Sequence, residues 1–211
     1  MEKITFNKFN SLRKEFLENN SDKDHIILKG SNNILISAPH GVSQVRLGKC
    51  KVQEIGSLSM ALCLQHHTNC FLIAKTQCNN DDANFDDEST YKDSIIGLIK
   101  KYNIKYILDF HGLASHRDCD INLGIHLGDN IKNNIELFNK LNESLSNNSF
   151  KVSIDQPFMA SSKTICSSMV KQFNDIWAIQ IEINCGITNK KENFTLNYKL
   201  FEILRNWINS I

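Results

Sequence analysis

Two histidines lie at the ends of short apolar runs, and each is followed directly by a glycine. They are His40 in ILISAPHG (residues 34–41) and His111 in YILDFHG (residues 106–112). A single histidine at a strand end usually caps or packs locally. Two strands that end in the same way can bring two imidazoles together, because the carboxyl ends of parallel strands meet at one edge of an α/β sheet. The pair therefore predicts a site at that edge.

Glu54 adds a carboxylate to this pair. It follows the loop after His40 and lies in the first turn of a predicted helix, where the helix dipole alone would favour a carboxylate; facing the cleft is the alternative interpretation. Catalytic zinc commonly takes three protein ligands of the His/His/Glu type and keeps one position for a water whose pKa falls toward neutrality. His40, Glu54 and His111 supply this set, and we expect one zinc ion per chain.

Glu182 lies in a strand-like segment near the end of the chain. Apolar and polar residues alternate through residues 177–186, so Gln180, Glu182 and Asn184 share one face of a strand. In an exposed edge strand this face would simply be solvated. Beside two strands that end in histidine, it holds a candidate general base, which would take a proton from the water and deliver it to the leaving amine. We assign this role to Glu182.

Three polar residues are candidates for orienting an anionic substrate: Arg46, Asn84 and Arg117. Arg46 lies in the loop after His40, Asn84 in an Asn/Asp-rich loop at residues 76–87, and Arg117 in the loop after His111. Such Asn/Asp clusters are usually solvated turns, and a lone loop arginine is more often solvated than functional. Next to a metal site, an arginine can instead hold a substrate carboxylate with bidentate geometry.

The segments that must position these residues have the periodicities of helices and strands. We interpret the two histidine strands as central strands of an α/β sheet and expect a hairpin between residues 26–28 and the His40 strand. Residues 156–162 are interpreted as a connector able to close over a ligand. Helices are predicted in the first twenty residues and at 52–67, 90–101, 130–146 and 195–208, and further strands at 71–74, 121–125, 150–154 and within 177–186.

The composition limits the classes of function. The 211 residues carry a net charge of +1 and are 41% hydrophobic, with lysines dispersed among acids, so a small molecule or peptide is the expected partner and nucleic acid is not. No apolar run approaches the roughly 18 residues of a membrane span, and the N-terminus lacks a signal-peptide core, so we expect no membrane partner and a cytoplasmic location. A single domain is predicted over residues 1–211; the oligomeric state is left open.

The seven cysteines are odd in number and show no Cys-x-x-Cys spacing. This pattern argues against a disulfide framework and against a thiolate zinc site. We therefore expect reduced and mostly buried thiols. In addition, no cysteine lies in a segment suited to a nucleophile.

Four segments resemble motifs of the N-formylglutamate amidohydrolase family, which is related to the zinc carboxypeptidase and aspartoacylase group. They are ISAPHG (36–41), DANFD (82–86), DFHG (109–112) and QIEIN (180–184), and they span most of the chain in the expected order. The resemblance implies a three-layer α/β/α fold around a mixed, largely parallel central sheet, of the phosphorylase/hydrolase-like kind. It also implies zinc-dependent hydrolysis of an amide linked to an amino acid, so the expected substrate is an N-acyl amino acid or small peptide.

Alternatives exist for one ligand and for the function. The carboxypeptidase-type group places its first histidine and its glutamate three residues apart, whereas His40 and Glu54 are fourteen apart, so Asp86 is the alternative middle ligand. A non-catalytic metal- or ligand-binding protein of the same fold is the competing function. A nucleoside phosphorylase-like enzyme would need a phosphate site, for which the sequence offers no Gly-rich loop.

Overall fold

A seven-stranded mixed sheet organises the chain in the computed structural model, which describes residues 4–211. The strand order is β1-β5-β2-β6-β9-β7-β8, and β3 and β4 form a separate hairpin. The four strands at the centre, β5, β2, β6 and β9, run parallel to one another. The strands are β1 (His25–Leu28), β2 (Ile34–Ala38), β3 (Gln44–Arg46), β4 (Lys49–Lys51), β5 (Phe71–Lys75), β6 (Tyr106–Leu113), β7 (Ile121–Gly124), β8 (Val152–Ile154) and β9 (Trp177–Asn184).

Helices cover both faces of the sheet. Apolar side chains of α1, α2, α4 and α7 pack with one face, and those of α3 and α5 pack with the other. This arrangement confirms the predicted α/β fold with its mixed, largely parallel sheet. The helices are α1 (Phe6–Glu18), α2 (Ile55–Thr68), α3 (Thr90–Tyr102), α4 (Ile135–Asn147), α5 (Ile165–Gln172), α6 (Cys185–Thr188) and α7 (Phe194–Ile208), with 3₁₀ segments at His126–Ile131 and Lys191–Asn193. Within residues 4–211, no helix is both long and apolar enough to cross a membrane.

Strand alternation assigns the polar side chains of the central strands to one face. Ile107 of β6 and Ala178 of β9 pack against α3 and α5. Because side chains two positions apart point to the same side of a strand, Asp109 and His111 continue the Ile107 face, and Glu182 continues the Ala178 face. The apolar layer under α3 and α5 thus gives way to a polar site toward the carboxyl ends of the strands.

The predicted hairpin between β1 and β2 is wrong. β1 is an edge strand that pairs antiparallel with β5, with His25 opposite Lys75. At Gly30 the chain passes very close to the backbone at the start of β5. An added Cβ at Gly30 would be 2.3 Å from the carbonyl carbon of Cys70. This close approach places β1 beside β5 instead of beside β2.

Several boundaries differ from the sequence-based prediction. The predicted loop at residues 42–51 contains the β3–β4 hairpin, and the helix predicted from residue 52 begins at Ile55, so Glu54 precedes the helix instead of lying in its first turn. The helix predicted at 130–146 begins at Ile135, because the Asn134 side chain caps it by accepting the Leu137 N–H at 3.0 Å. The helix predicted for the first twenty residues is observed as α1, and residues 1–3 lie outside the described part of the chain.

Candidate metal centre

His40, Glu54 and His111 converge on one buried point. His40 lies in the turn after β2, Glu54 directly precedes α2, and His111 is in β6. The Nδ1 atoms of the two histidines are 2.9 Å apart, and the Glu54 carboxylate is 3.1 Å from His40 Nδ1 and 3.3 Å from His111 Nδ1. Three potential ligand atoms from distant parts of the chain therefore surround a single position.

The separations of these atoms fit a single metal ion. With metal–ligand bonds of about 2.0–2.1 Å, neighbouring ligands in a tetrahedral site are about 3.3 Å apart. The observed distances of 2.9 Å, 3.1 Å and 3.3 Å are close to this value. The donor set of two imidazoles and one carboxylate thus has the composition and the spacing of a metal site with three protein ligands.

Backbone pairing explains how His40 and Glu54 meet despite their separation in sequence. The Glu54 N–H donates to the His40 carbonyl at 2.8 Å. The thirteen residues between them contain the β3–β4 hairpin, which begins shortly after His40 and ends shortly before Glu54. The wide spacing of His40 and Glu54 in sequence therefore reflects an intervening hairpin, and the two side chains still lie next to each other.

A carboxylate orients each imidazole from the opposite side of the ring. His40 Nε2 donates to Asp82 Oδ1 at 2.8 Å, and His111 Nε2 donates to Asp109 Oδ2 at 2.9 Å. When each ring carries a single proton on Nε2, both Nδ1 lone pairs face the common point, where a metal ion would take the place of a second proton. Carboxylates that fix the tautomer in this way are typical partners of metal-binding histidines.

The electrostatics of the cluster favour a positive charge at its centre. Burial raises the pKa of Glu54, but His40 and His111 in their protonated forms outweigh it through their charges and the hydrogen bonds they donate, and hold the pKa well below its usual range. Burial also raises the pKa of Asp82, and hydrogen bonds and charges from His40 and Arg46 again outweigh it. Both carboxylates therefore remain ionised next to the convergence point.

Two further groups fix the Glu54 carboxylate. The backbone N–H of Gly112 donates to Oε2 at 2.9 Å, and the Lys51 ammonium contacts Oε1. An added Cβ at Gly112 would lie 3.0 Å from the Glu54 Cβ, a contact so tight that Glu54 would have to move by a few tenths of an ångström. Lys51 comes from β4, so the hairpin also contributes a cation to the site.

Glu182 lies next to His111 on the same face of the sheet. The two residues are direct partners in the β6–β9 register, and Gln180 Nε2 donates to Glu182 Oε1 at 2.9 Å. β9 is an interior strand between β6 and β7, and Glu182 is only 5% exposed, which excludes the interpretation of this face as a solvated edge. Burial raises the pKa of Glu182 to about 7, and the Glu54 charge adds to this effect while His111 opposes it.

The predicted ligands and Glu182 line a cleft of about 650 Å³, together with the three predicted substrate-binding residues Arg46, Asn84 and Arg117. Arg46 donates from Nε to Asp82 Oδ2 at 2.8 Å, and its guanidinium lies 4.9 Å from the centre of the Phe85 ring. Arg117 is exposed on the loop after β6. The two arginines thus differ, since Arg46 is held by protein groups and Arg117 projects from a loop.

Asn84 and Asp86 are occupied by the protein itself. Asn84 donates to Gln180 Oε1 at 3.2 Å and accepts the Ile165 N–H at 2.8 Å, so its amide connects the loop at 76–87 with β9 and α5. Asp86 Oδ2 accepts the backbone N–H of Asp82 at 2.7 Å, and Asp86 is not part of the group that could hold a metal.

Sequence reasoning assigned no role to Asp109, Lys51 or Gln180. For Asp109 a signal was present, since it lies two positions before His111 and therefore on the same strand face. The same spacing relates Gln180 to Glu182. Lys51 carried no such signal, because its position depends on the β3–β4 hairpin.

Comparisons with known proteins relate the chain to a fold only. No protein-family profile and no curated protein matches the sequence. The gene product Atu2144 from Agrobacterium tumefaciens is similar in structure with a TM-score of 0.66 at 11% identity, covering 94% of this chain and 97% of that one. N-formylglutamate amidohydrolase from Ralstonia eutropha JMP134 has a TM-score of 0.61 at 13% identity, covering 89% and 98%. A bacteriophage poly-gamma-glutamate hydrolase has a TM-score of 0.53 at 14% identity, covering 93% of each chain.

Proposed function

We propose that the protein is a zinc-dependent amidohydrolase that cleaves the amide bond of an N-acyl amino acid or small peptide. The observation that carries this proposal is the convergence of His40, Glu54 and His111 in a cleft, beside the buried carboxylate of Glu182. Two histidines and a glutamate form a common ligand set of catalytic zinc. When bound there, zinc would lower the pKa of a coordinated water and polarise the carbonyl of the substrate.

Glu182 is the proposed general base. A group that must first accept a proton and then donate it to the leaving amine works best with a pKa near the working pH. Burial raises the pKa of Glu182 to about 7, and the Gln180 amide holds one carboxylate oxygen in place. The residue thus has the position and the proton affinity for both halves of the transfer.

Other residues in and behind the cleft orient the substrate and the metal ligands. Arg117 is available to bind the carboxylate of an amino acid with a bidentate pair of hydrogen bonds. Asp82 and Asp109 hold the two imidazoles with Nδ1 toward the common point, and Asn84 steadies Gln180. The amide class is supported by the shared fold of the amidohydrolase and the poly-gamma-glutamate hydrolase named above.

The proposal is tested by metal removal and return. The protein is stripped with a chelator, reloaded with one equivalent of zinc, and assayed for amine release from N-formyl and N-acetyl amino acids and dipeptides. We expect hydrolysis only with zinc, its loss in His111→Ala, and its retention in His116→Ala, which changes an exposed histidine outside the cluster. Stoichiometric zinc binding without hydrolysis of any substrate would contradict the proposal and favour the non-catalytic binding protein.

A further inference from the structure

Phe158 places an aromatic ring on the wall of the same cleft. It lies in the connector between β8 and α5, lines the cleft and is 41% exposed. Large apolar side chains that stay exposed inside a cleft are typical contacts for a ligand, because binding removes their surface from water.

Hydrogen bonds hold the backbone that carries this ring. Three successive residues of the connector are each fixed through a main-chain group, so the position of Phe158 does not depend on a ligand. The Phe158 N–H donates to Asn122 Oδ1 at 3.2 Å, the Met159 carbonyl accepts the His126 N–H at 2.7 Å, and the Ala160 carbonyl accepts from Asn130 Nδ2 at 2.9 Å. A contact surface fixed in advance loses little entropy on binding.

Asn122 also connects Phe158 to the proposed base. Asn122 of β7 is the direct register partner of Glu182 in the antiparallel β7–β9 pair. Opposite residues in such a pair have Cα atoms about 4.5–5.5 Å apart. The amide that holds the Phe158 backbone is thus adjacent to Glu182, and Phe158 and Glu182 line the same cleft.

The ring of Phe158 differs from the other phenylalanine ring in the cleft. Phe85 is already engaged by two cations, with Arg46 at 4.9 Å and Lys163 at 5.8 Å from its centre. In the part of the chain that the structure describes, no ring stacks on Phe158 and no cation lies over it. Neither a ring nor a cation therefore competes with an apolar group for the exposed part of this side chain.

We infer that Phe158 determines specificity and that the leaving amino acid carries an aromatic or large aliphatic side chain, which packs on this ring. The inference rests on the proposed amide hydrolysis, because it uses the cleft in which Glu182 serves the leaving amine. Arg117, exposed on the loop after β6 and lining the same cleft, would bind the carboxylate of that amino acid.

Binding in the absence of turnover tests this inference directly. Dissociation constants of N-acetyl-phenylalanine, N-acetyl-alanine and N-acetyl-glutamate are measured by calorimetry on the zinc-loaded Glu182→Gln protein. We expect N-acetyl-phenylalanine to bind about tenfold or more tightly than N-acetyl-alanine, the scale of a filled apolar pocket. Adding Phe158→Ala should reduce this preference to about twofold or less, whereas Phe158→Leu should keep most of it.

Ile135→Ala is the matched control, since Ile135 is an exposed apolar residue that does not line the cleft. It should leave the preference unchanged. Tightest binding of N-acetyl-glutamate, or a preference that survives Phe158→Ala, would overturn the inference. Turnover by the parent protein is measured separately. A preference that depends on Phe158 without any hydrolysis would refute the proposed function and leave the ligand class standing.

Discussion

The Nδ1 atoms of His40 and His111 lie 2.9 Å apart, although the two residues are 71 positions apart in the chain. Each imidazole is held in this orientation by an aspartate on its opposite nitrogen. Two imidazole lone pairs directed at one another repel unless a positive charge lies between them. The arrangement is therefore complementary to a cation.

The first prediction concerns metal content. The purified protein should hold about one zinc per chain, and His40→Ala or His111→Ala should lose most of it, because two remaining ligands are too few for stable binding. Elemental analysis after gel filtration measures this. Glu54→Ala should also lose zinc, while Asp86→Ala and His116→Ala should retain it. Normal zinc content in both histidine variants would refute the site, and loss in Asp86→Ala alone would reassign the carboxylate ligand.

The second prediction concerns the aspartates that orient the imidazoles. Asp82→Asn and Asp109→Asn should each weaken zinc binding by about 10–100-fold, since an amide no longer fixes the histidine tautomer as a carboxylate does. Competition with a chromophoric chelator gives the affinities. Asp175→Asn is the control, because Asp175 is exposed and does not contact either histidine. Equal affinities in all three variants would show that the two aspartates are only structural.

The third prediction uses two glycines. In Gly112→Ala the new Cβ would lie 3.0 Å from the Glu54 Cβ, so Glu54 would have to move by a few tenths of an ångström, and zinc affinity should fall by up to about tenfold. Gly97→Ala is the control, since an added Cβ there meets no atom within 4 Å. Gly97 is exposed within α3, so its replacement should leave zinc binding unchanged and add about 0.5–1 kcal/mol to the free energy of unfolding. Similar zinc affinities in both variants would contradict the assigned contact.

The fourth prediction concerns stability in acid. Burial raises the pKa of Asp24, but hydrogen bonds with Lys75 and His25 and the Lys75 charge outweigh it and lower the pKa to about 2. Because the pKa is lower in the folded state, the stabilisation is present above the ordinary value of about 3.9 and is lost as the pH falls toward 2. Asp24→Asn should lower the free energy of unfolding at pH 7 and flatten its decline between pH 4 and pH 2 in urea titrations. The exposed Asp22→Asn should resemble the parent; an unchanged acid decline in Asp24→Asn would contradict the assignment.

Local patterns predicted the parts of the fold and site that depend on neighbouring residues. The alternation in β9 placed Gln180 and Glu182 on one face, and the apolar runs before His40 and His111 marked the two central strands. These signals suffice because the period of a strand fixes which side chains share a face.

Other features depend on contacts that no local pattern shows. Glu54 reaches His40 because their backbones form a long-range hydrogen bond at the base of the β3–β4 hairpin. β1 pairs with β5 because the chain passes close to the start of β5 at Gly30. The short helix α5 was missed because it spans only eight residues between two loops, although Thr164 caps it through the Ser167 N–H. Helices of this length depend on tertiary packing more than on their own periodicity.

The zinc-loaded Glu182→Gln variant tests the proposed mechanism most directly. The substitution keeps the shape and the hydrogen bonding of the side chain but removes the base. General base catalysis is worth typically ~10²–10⁴-fold, so the rate of amide hydrolysis should fall by that order while zinc content and unfolding free energy stay close to those of the parent. The rate of amine release is measured beside metal content in the same preparation. A rate within a few fold of the parent at full zinc occupancy would contradict the assignment of Glu182 and the mechanism built on it.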